Sequence, residues 1–142
     1  MFIKQISIFV ENKPGRLAEI TQILAQNEID IRALSIADTT DYGILRLIVS
    51  KPDEAVAAIK KEGLAVSANE VLAIGIPDVP GGFANAINIL ADGGIGVEYA
   101  YAFITPSVGN AFVIIRVEDN EKAAKTLEEK GIQLIGQKDI FN

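Results

Sequence analysis

Asn12-Lys13-Pro14-Gly15-Arg16-Leu17 and Asp78-Val79-Pro80-Gly81-Gly82-Phe83 stand 66 residues apart, each between a β-branched apolar run and an amphipathic one. At the same offset Ile8, Ala18, Ile23, Leu24, Ala25, Ile29 and Thr39 recur as Ile74, Ala84, Ile89, Leu90, Ala91, Ile95 and Thr105. Conservative pairs fill the gaps, such as Val10 with Ile76, Leu17 with Phe83 and Ile31 with Val97. Chance alignment of two apolar stretches rarely gives such a run, so the chain reads as a tandem duplication. The expected units are residues 1–70 and 71–142. Each is near the lower size limit for an independent core.

Working outward from the first Pro-Gly, residues 3–11 alternate as a strand with Ile6, Ile8 and Val10 on one face. Pro14 suits the first turn of a helix, where its missing N–H costs nothing. Leu17, Ile20, Ile23 and Leu24 form the helical stripe, which ends near Gln26-Asn27. A strand over 30–38 follows, with Ile31, Ala33 and Ser35 on one face and Arg32, Leu34 and Ile36 on the other. After a turn at Asp38–Gly43, residues 44–49 read as a buried strand. A second helix starts near Pro52, with Asp53 and Glu54 in its first turn, Lys60 and Lys61 in its last, and Gly63 as its stop. A strand over 64–70 completes β-α-β-β-α-β.

The second copy repeats this order. Strands are expected at 71–77, 96–104, 110–117 and 133–140, with helices from Pro80 and from an Asp119 cap to Gly131. Gly131 follows Gly63 by 68 residues, so a two-residue insertion is expected at the central turn. The fold class is α+β: two ferredoxin-like units, each an antiparallel sheet with both helices on one face. Ser67-Ala68-Asn69-Glu70 joins the units with no Gly/Ser/Pro linker, which predicts direct docking.

The composition excludes much chemistry. The net charge is −6, which argues against a nucleic-acid partner, because that affinity rests on Lys and Arg neutralising phosphates. The chain has no Cys and no His, which removes disulfides, thiolate metal sites, the commonest zinc ligand and the commonest general base. Neither a metal nor another cofactor is expected. No apolar run approaches the ~20 residues of a membrane span. Met1-Phe2-Ile3-Lys4-Gln5 reads as strand and not as a signal peptide, so a soluble, cytoplasmic protein is expected.

Other motifs have plain readings. Asp92-Gly93-Gly94-Ile95-Gly96 follows a helix and reads as its C-cap and turn, not as a dinucleotide fingerprint. Gly81-Gly82 lacks the Lys-Ser/Thr of a phosphate-binding loop. Tyr99, Tyr101 and Phe103 alternate along one strand and read as packing residues. The strands that carry stacking aromatics in RNA-binding ferredoxin-like domains offer Phe9 and Phe112 and little else. Pro-Gly and Asn12 are also what an ordinary turn uses, and Asp30 and Glu98 could be solvated strand-edge charges.

A Pro-Gly at the first strand–helix turn, followed by Ile29-Asp30-Ile31 entering the second strand, resembles the ACT domain, once per repeat and over essentially the whole chain. Repeat one, Val10-Glu11-Asn12-Lys13-Pro14-Gly15-Arg16-Leu17, is similar to the module of phosphoglycerate dehydrogenases. Repeat two, Ile76-Pro77-Asp78-Val79-Pro80-Gly81-Gly82-Phe83, is similar to those of aspartokinases. The resemblance implies a regulatory module that binds an amino acid between the Pro-Gly loop of one unit and the second strand of a neighbouring unit. Edge-to-edge pairing of those strands also protects them from aggregation. The implied ligand residues are Asn12, Lys13, Pro14, Gly15, Arg16 and Leu17 with Asp30 and Ile31. In repeat two they are Asp78, Val79, Pro80, Gly81, Gly82 and Phe83 with Val97 and Glu98. Asp30 stands where the dehydrogenase-type module has Asn, and Gly96 offers no side chain at the matching place.

An amino acid's chemistry suits these residues. Its carboxylate fits the free N–H groups of a helix N-terminus, with the macrodipole adding roughly 0.3–1 kcal/mol. Gly15 and Gly81-Gly82 allow close approach to the backbone. Asp30, Asp78 or Glu98 could take the ammonium. The expected function is therefore that of an amino-acid-binding regulatory protein, not an enzyme, acting as a homodimer or through a partner enzyme. The alternative is an obligatory regulatory subunit, similar to the small subunit of acetohydroxyacid synthase. An enzyme would have to rest on scattered carboxylates such as Glu11, Glu19 and Asp78.

Overall fold

The computed structural model describes residues 2–38, 41–104 and 109–140, so Thr39, Thr40 and Thr105 lie outside the described residues. The backbone divides into two compact units, Lys4–Asn69 and Glu70–Asn142, with Met1–Ile3 grouped with the second.

The first unit is built from β1 (Ile3–Glu11), α1 (Arg16–Gln26), β2 (Ile31–Asp38), β3 (Tyr42–Val49), α2 (Pro52–Lys61) and the opening residues of β4 (Val66–Pro77). Its strand order is β2-β3-β1-β4, with β3 antiparallel to both neighbours. Alternation along β1 and β3 sends Ile6, Ile8, Leu45, Leu47 and Val49 to one face. Ile20, Ile23 and Leu24 of α1 and Ala55 and Ile59 of α2 close over them in one buried cluster. Both helices therefore cover the same face of the sheet, the ferredoxin-like arrangement.

The second unit takes the rest of β4 with α3 (Gly82–Asp92), β5 (Val97–Ala102), β6 (Asn110–Val117), α4 (Asn120–Glu129), β7 (Gln133–Leu134) and α5 (Gln137–Ile140). β4 pairs with β6 on one side and β7 on the other, and β5 pairs with β6. Its core repeats the first position by position. Leu72, Ile74, Leu90, Val113, Ile115, Val117, Ala123 and Leu127 stand where Ile6, Ile8, Leu24, Leu45, Leu47, Val49, Ala55 and Ile59 stand.

The pairing register is duplicated as faithfully as the core. Ile8 faces Leu45 and Ile74 faces Val113; Ile31 faces Val49 and Val97 faces Val117. The offset is 66 before the central turn and 68 after it, so the two extra residues fall between β5 and β6. The edge pairing of each unit carries a matching bulge, between Ile31 and Ala33 and between Val97 and Tyr99.

Four local expectations need correction. The bulge at Arg32 shifts the alternation of β2, because a bulge places two residues opposite one. Ile31 and the pair Leu34 and Ile36 consequently share the helix-covered face: their partners Val49, Leu47 and Leu45 all lie in the core.

The helices after Pro-Gly begin at Arg16 and Gly82, not at the prolines. The Arg16 N–H donates to the Lys13 carbonyl and the Gly82 N–H to that of Val79. Gly15 and Gly81 sit at φ 88° and 87° with ψ near zero. These are type II turns with Pro and Gly in their two central places. Pro52, by contrast, does occupy the first turn of its helix.

The strands expected at 64–70 and 71–77 form one strand, β4, since neither Gly nor Pro interrupts Val66–Ile74. The strand expected at 133–140 ends at Leu134 and gives way to α5. There the Gly136 N–H donates to the Asp139 carboxylate and the Asp139 N–H donates back to the Gly136 carbonyl. This reciprocal closure starts a helical turn, as in a capping box.

Candidate functional site

The two Pro-Gly loops are positioned by the same devices. The Asn12 N–H donates to the Asp41 carbonyl, and the Asp78 N–H to that of Gly109. Each loop is thus pinned to the start of the adjacent strand. Glycine at the N-cap has no side chain to cap the helix, and neither α1 nor α3 has a side-chain cap. Orphan amides remain at both N-termini. At α4, by comparison, the Asp119 carboxylate accepts from the Lys122 N–H.

Loop one borders a cavity of about 190 Å³, lined by Asn12, Lys13, Arg16 and Leu17 together with Val10, Glu11, Ile36, Gly43 and Leu45. Its rim is charged. The Lys13 ammonium lies 2.9 Å from Glu11, and the Arg16 guanidinium 3.0 Å from Glu19 and 3.8 Å from Glu11. The hydrogen bond and charge of Lys13, followed by the charge of Arg16, hold the Glu11 carboxyl below the usual carboxylate range. Such exposed pairs are screened by solvent and contribute little. A ligand carboxylate can therefore replace Glu11 or Glu19 as their partner at little cost.

Asp30 and Ile31 are not part of this cavity. Glu11 pairs with Tyr42 and Asp38 with Gly43, whereas Ile31 pairs with Val49. The start of β2 therefore lies at the opposite end of its sheet from loop one. Asp30 is clasped there by two backbone bonds, its N–H to the Ser50 hydroxyl and its carbonyl from the Ser50 N–H. Its carboxylate is 3.0 Å from Arg32. Pro14 and Gly15 shape the turn and do not line the cavity.

Loop two differs in chemistry. Val79 and Gly82 stand where loop one has Lys13 and Arg16. A Cβ on Gly82 would fall 2.1 Å from the Pro77 carbonyl oxygen, so the backbone of the loop itself occupies that space. Gly81 faces open space, as does Gly15. Val79 and Phe83 are exposed apolar side chains. Val97 and Glu98 again lie at the far end of the sheet, where they line a wide cleft of about 870 Å³ beside Asp119. Glu98 is held 3.2 Å from Arg116. Tyr99 stacks on Tyr101 and Phe103 meets Phe112 edge-on, a packing role.

Sequence reading missed Val10, Ile36, Gly43 and Leu45 as cavity residues. Ile36 and Gly43 reach the loop only through the register of β2 and β3, and the bulge at Arg32 hides that register from a simple alternation. Glu11 carried a signal, being one carboxylate within five residues of two cations.

Residues 1–142 match the family described as ACT domain pair. Protein BT0572 from Bacteroides thetaiotaomicron is similar in structure, with 41% identity, a TM-score of 0.93, and coverage of 100% of this chain and 97% of that one. The regulatory subunit of aspartate kinase from Thermus thermophilus is similar with 20% identity and a TM-score of 0.68, over 90% of this chain and 92% of that one. The corresponding subunit from Thermus flavus gives 17% identity and 0.63, over 89% and 90%. Likeness at these last two identities speaks for the fold alone. No curated protein matches the chain.

Proposed function

The chain belongs to the ACT domain pair family, and on that premise we propose that it senses a free amino acid and passes the signal on through assembly or a partner enzyme. One observation carries this reading: loop one sets an uncapped helix N-terminus, Asn12 and two cations around a cavity that an amino acid can fill. The carboxylate binds at the amides and cations of loop one, and the side chain enters the cavity. Asp30 and Glu98 sit at the far ends of their sheets, so as ligands for the ammonium they serve a loop of another copy. ACT domains are regulatory and not catalytic, so the output is a change in affinity between two states. Loop two, with Asp78 and no cation at the matching positions, is the weaker carboxylate site.

Homodimerisation belongs to the same reading. β2 and β5 each pair with a single strand among the described residues, and Leu34 on β2 is exposed. An edge of this kind is suited to pairing with a second copy.

The test is a thermal-shift screen against the common amino acids, with Lys13→Glu alongside. Ligand at 100 times its Kd stabilises by about 2.7 kcal/mol, or roughly 5–10 °C in Tm for a chain of this length. A shift that Lys13→Glu abolishes supports the sensor. If no amino acid moves Tm, the sensor reading is abandoned in favour of an obligatory subunit, and copurification of a partner becomes the measurement.

A further inference from the structure

We propose that the cavity at loop one selects an amino acid with an aliphatic side chain of valine-to-methionine size, and that Ile36 is the residue that sets this preference. The inference rests on the sensor reading above and adds the ligand class. Polar and apolar groups are segregated in the cavity. Glu11, Asn12, Lys13 and Arg16 stand at the loop end, and Val10, Leu17, Ile36 and Leu45 supply the apolar lining. Leu45 is buried in the core, while Leu17 and Ile36 are 42% and 49% exposed. Two large apolar side chains thus line the same small cavity half-covered, leaving surface that only an apolar group can satisfy.

Register explains why the space exists. Val10 pairs with Gly43, and Ile36 pairs with Leu45. Directly opposed residues of antiparallel strands project from the same face, so the glycine leaves a gap beside Val10. In repeat two an alanine methyl narrows that gap, and the wall residue is cut back to alanine. Ala111 faces Ile76, and Ala102 faces Val113 where Ile36 faces Leu45. The glycine gap and the Ile36 wall are therefore features of repeat one, not of the fold.

Size and polarity set the class. At about 190 Å³ the cavity is smaller than the roughly 300 Å³ at which ordinary small-molecule pockets begin. A hydroxyl, carboxylate or ammonium set against Val10, Leu17, Ile36 and Leu45 would give up water to apolar side chains that cannot hydrogen-bond it.

The experiment is calorimetric titration of the full chain with leucine, isoleucine, valine, methionine, alanine, serine, aspartate, lysine and tryptophan, repeated on Ile36→Gln. Ile36 is half-exposed, so this variant folds; an unchanged Tm without ligand verifies it. Leucine or a similar residue is expected to bind at least ~10-fold tighter than alanine or serine, and Ile36→Gln is expected to cut that preference about tenfold. Binding confined to serine, aspartate, lysine or tryptophan overturns the aliphatic assignment and leaves the sensor intact. An aliphatic preference that survives Ile36→Gln overturns the assignment of this cavity. No binding by any of them overturns the sensor reading and this inference with it.

Discussion

Three glycines in the two loops look alike in sequence and are used for two different reasons. Gly15 and Gly81 adopt the left-handed conformation, with open space around a would-be Cβ. Gly82 has an ordinary φ, but the Pro77 carbonyl fills the place of its side chain. Gly15→Ala and Gly81→Ala should each cost about 1–2 kcal/mol, equally, because the strain is one of backbone dihedrals alone. Gly82→Ala should cost more, toward 3 kcal/mol, because a backbone oxygen must move to relieve the overlap. Urea denaturation of the three variants checks the order; a Gly82→Ala protein as stable as the other two would show that the loop yields freely. The need for glycine at these places was legible in the Pro-Gly pair. Which glycine serves conformation and which serves contact was not, because that depends on where Pro77 points.

At the scale of elements, what the chain announces most clearly is its stops and starts. Gly63 and Gly131 end their helices in the left-handed conformation, as their positions implied. Asp119 caps α4 through the Lys122 N–H, whereas Lys51 at the corresponding place before α2 makes no side-chain cap. Asp119→Ala should therefore cost about 1 kcal/mol, while Lys51→Ala stays within about 0.5 kcal/mol of the parent. Thermal unfolding of the two variants decides it, and equal losses would remove the cap from the account. Periodicity was a poorer guide wherever an element departs from its ideal. It placed Ile31 with Ala33, because nothing in Ile31-Arg32-Ala33-Leu34 marks a bulge. It also extended β7 through Gly136, where the side chain of Asp139 folds back and starts a helical turn.

For the whole molecule, the duplication was the most legible feature, since core, register and bulge all follow it. The candidate site was legible in part. Asn12, Lys13, Arg16 and Leu17 do meet at one cavity, but its apolar lining comes from strands whose register no local pattern reveals. The grouping of the first residues was not legible either. Phe2 packs against the buried cluster of the second unit, and Ile3 is grouped with that unit and fully buried. Phe2→Ala should cost about 1–3 kcal/mol, less than a fully buried phenylalanine. Hydrogen exchange should show the loss in the amides of Glu70–Ile140 and spare those of Lys4–Asn69. Loss confined to the first unit would refute the grouping.

This grouping has a consequence for how the protein is made and remade. Residues 4–69 leave the ribosome as one uninterrupted stretch, whereas Phe2 and Ile3 emerge before them and wait for a core that is translated after them. A gene cut at the boundary of the duplication does not yield two cassettes. One product carries an apolar stub with nothing to cover, and the other lacks the two residues that cover it. Two copies that began as equals have become a pair that recombination can shuffle only together.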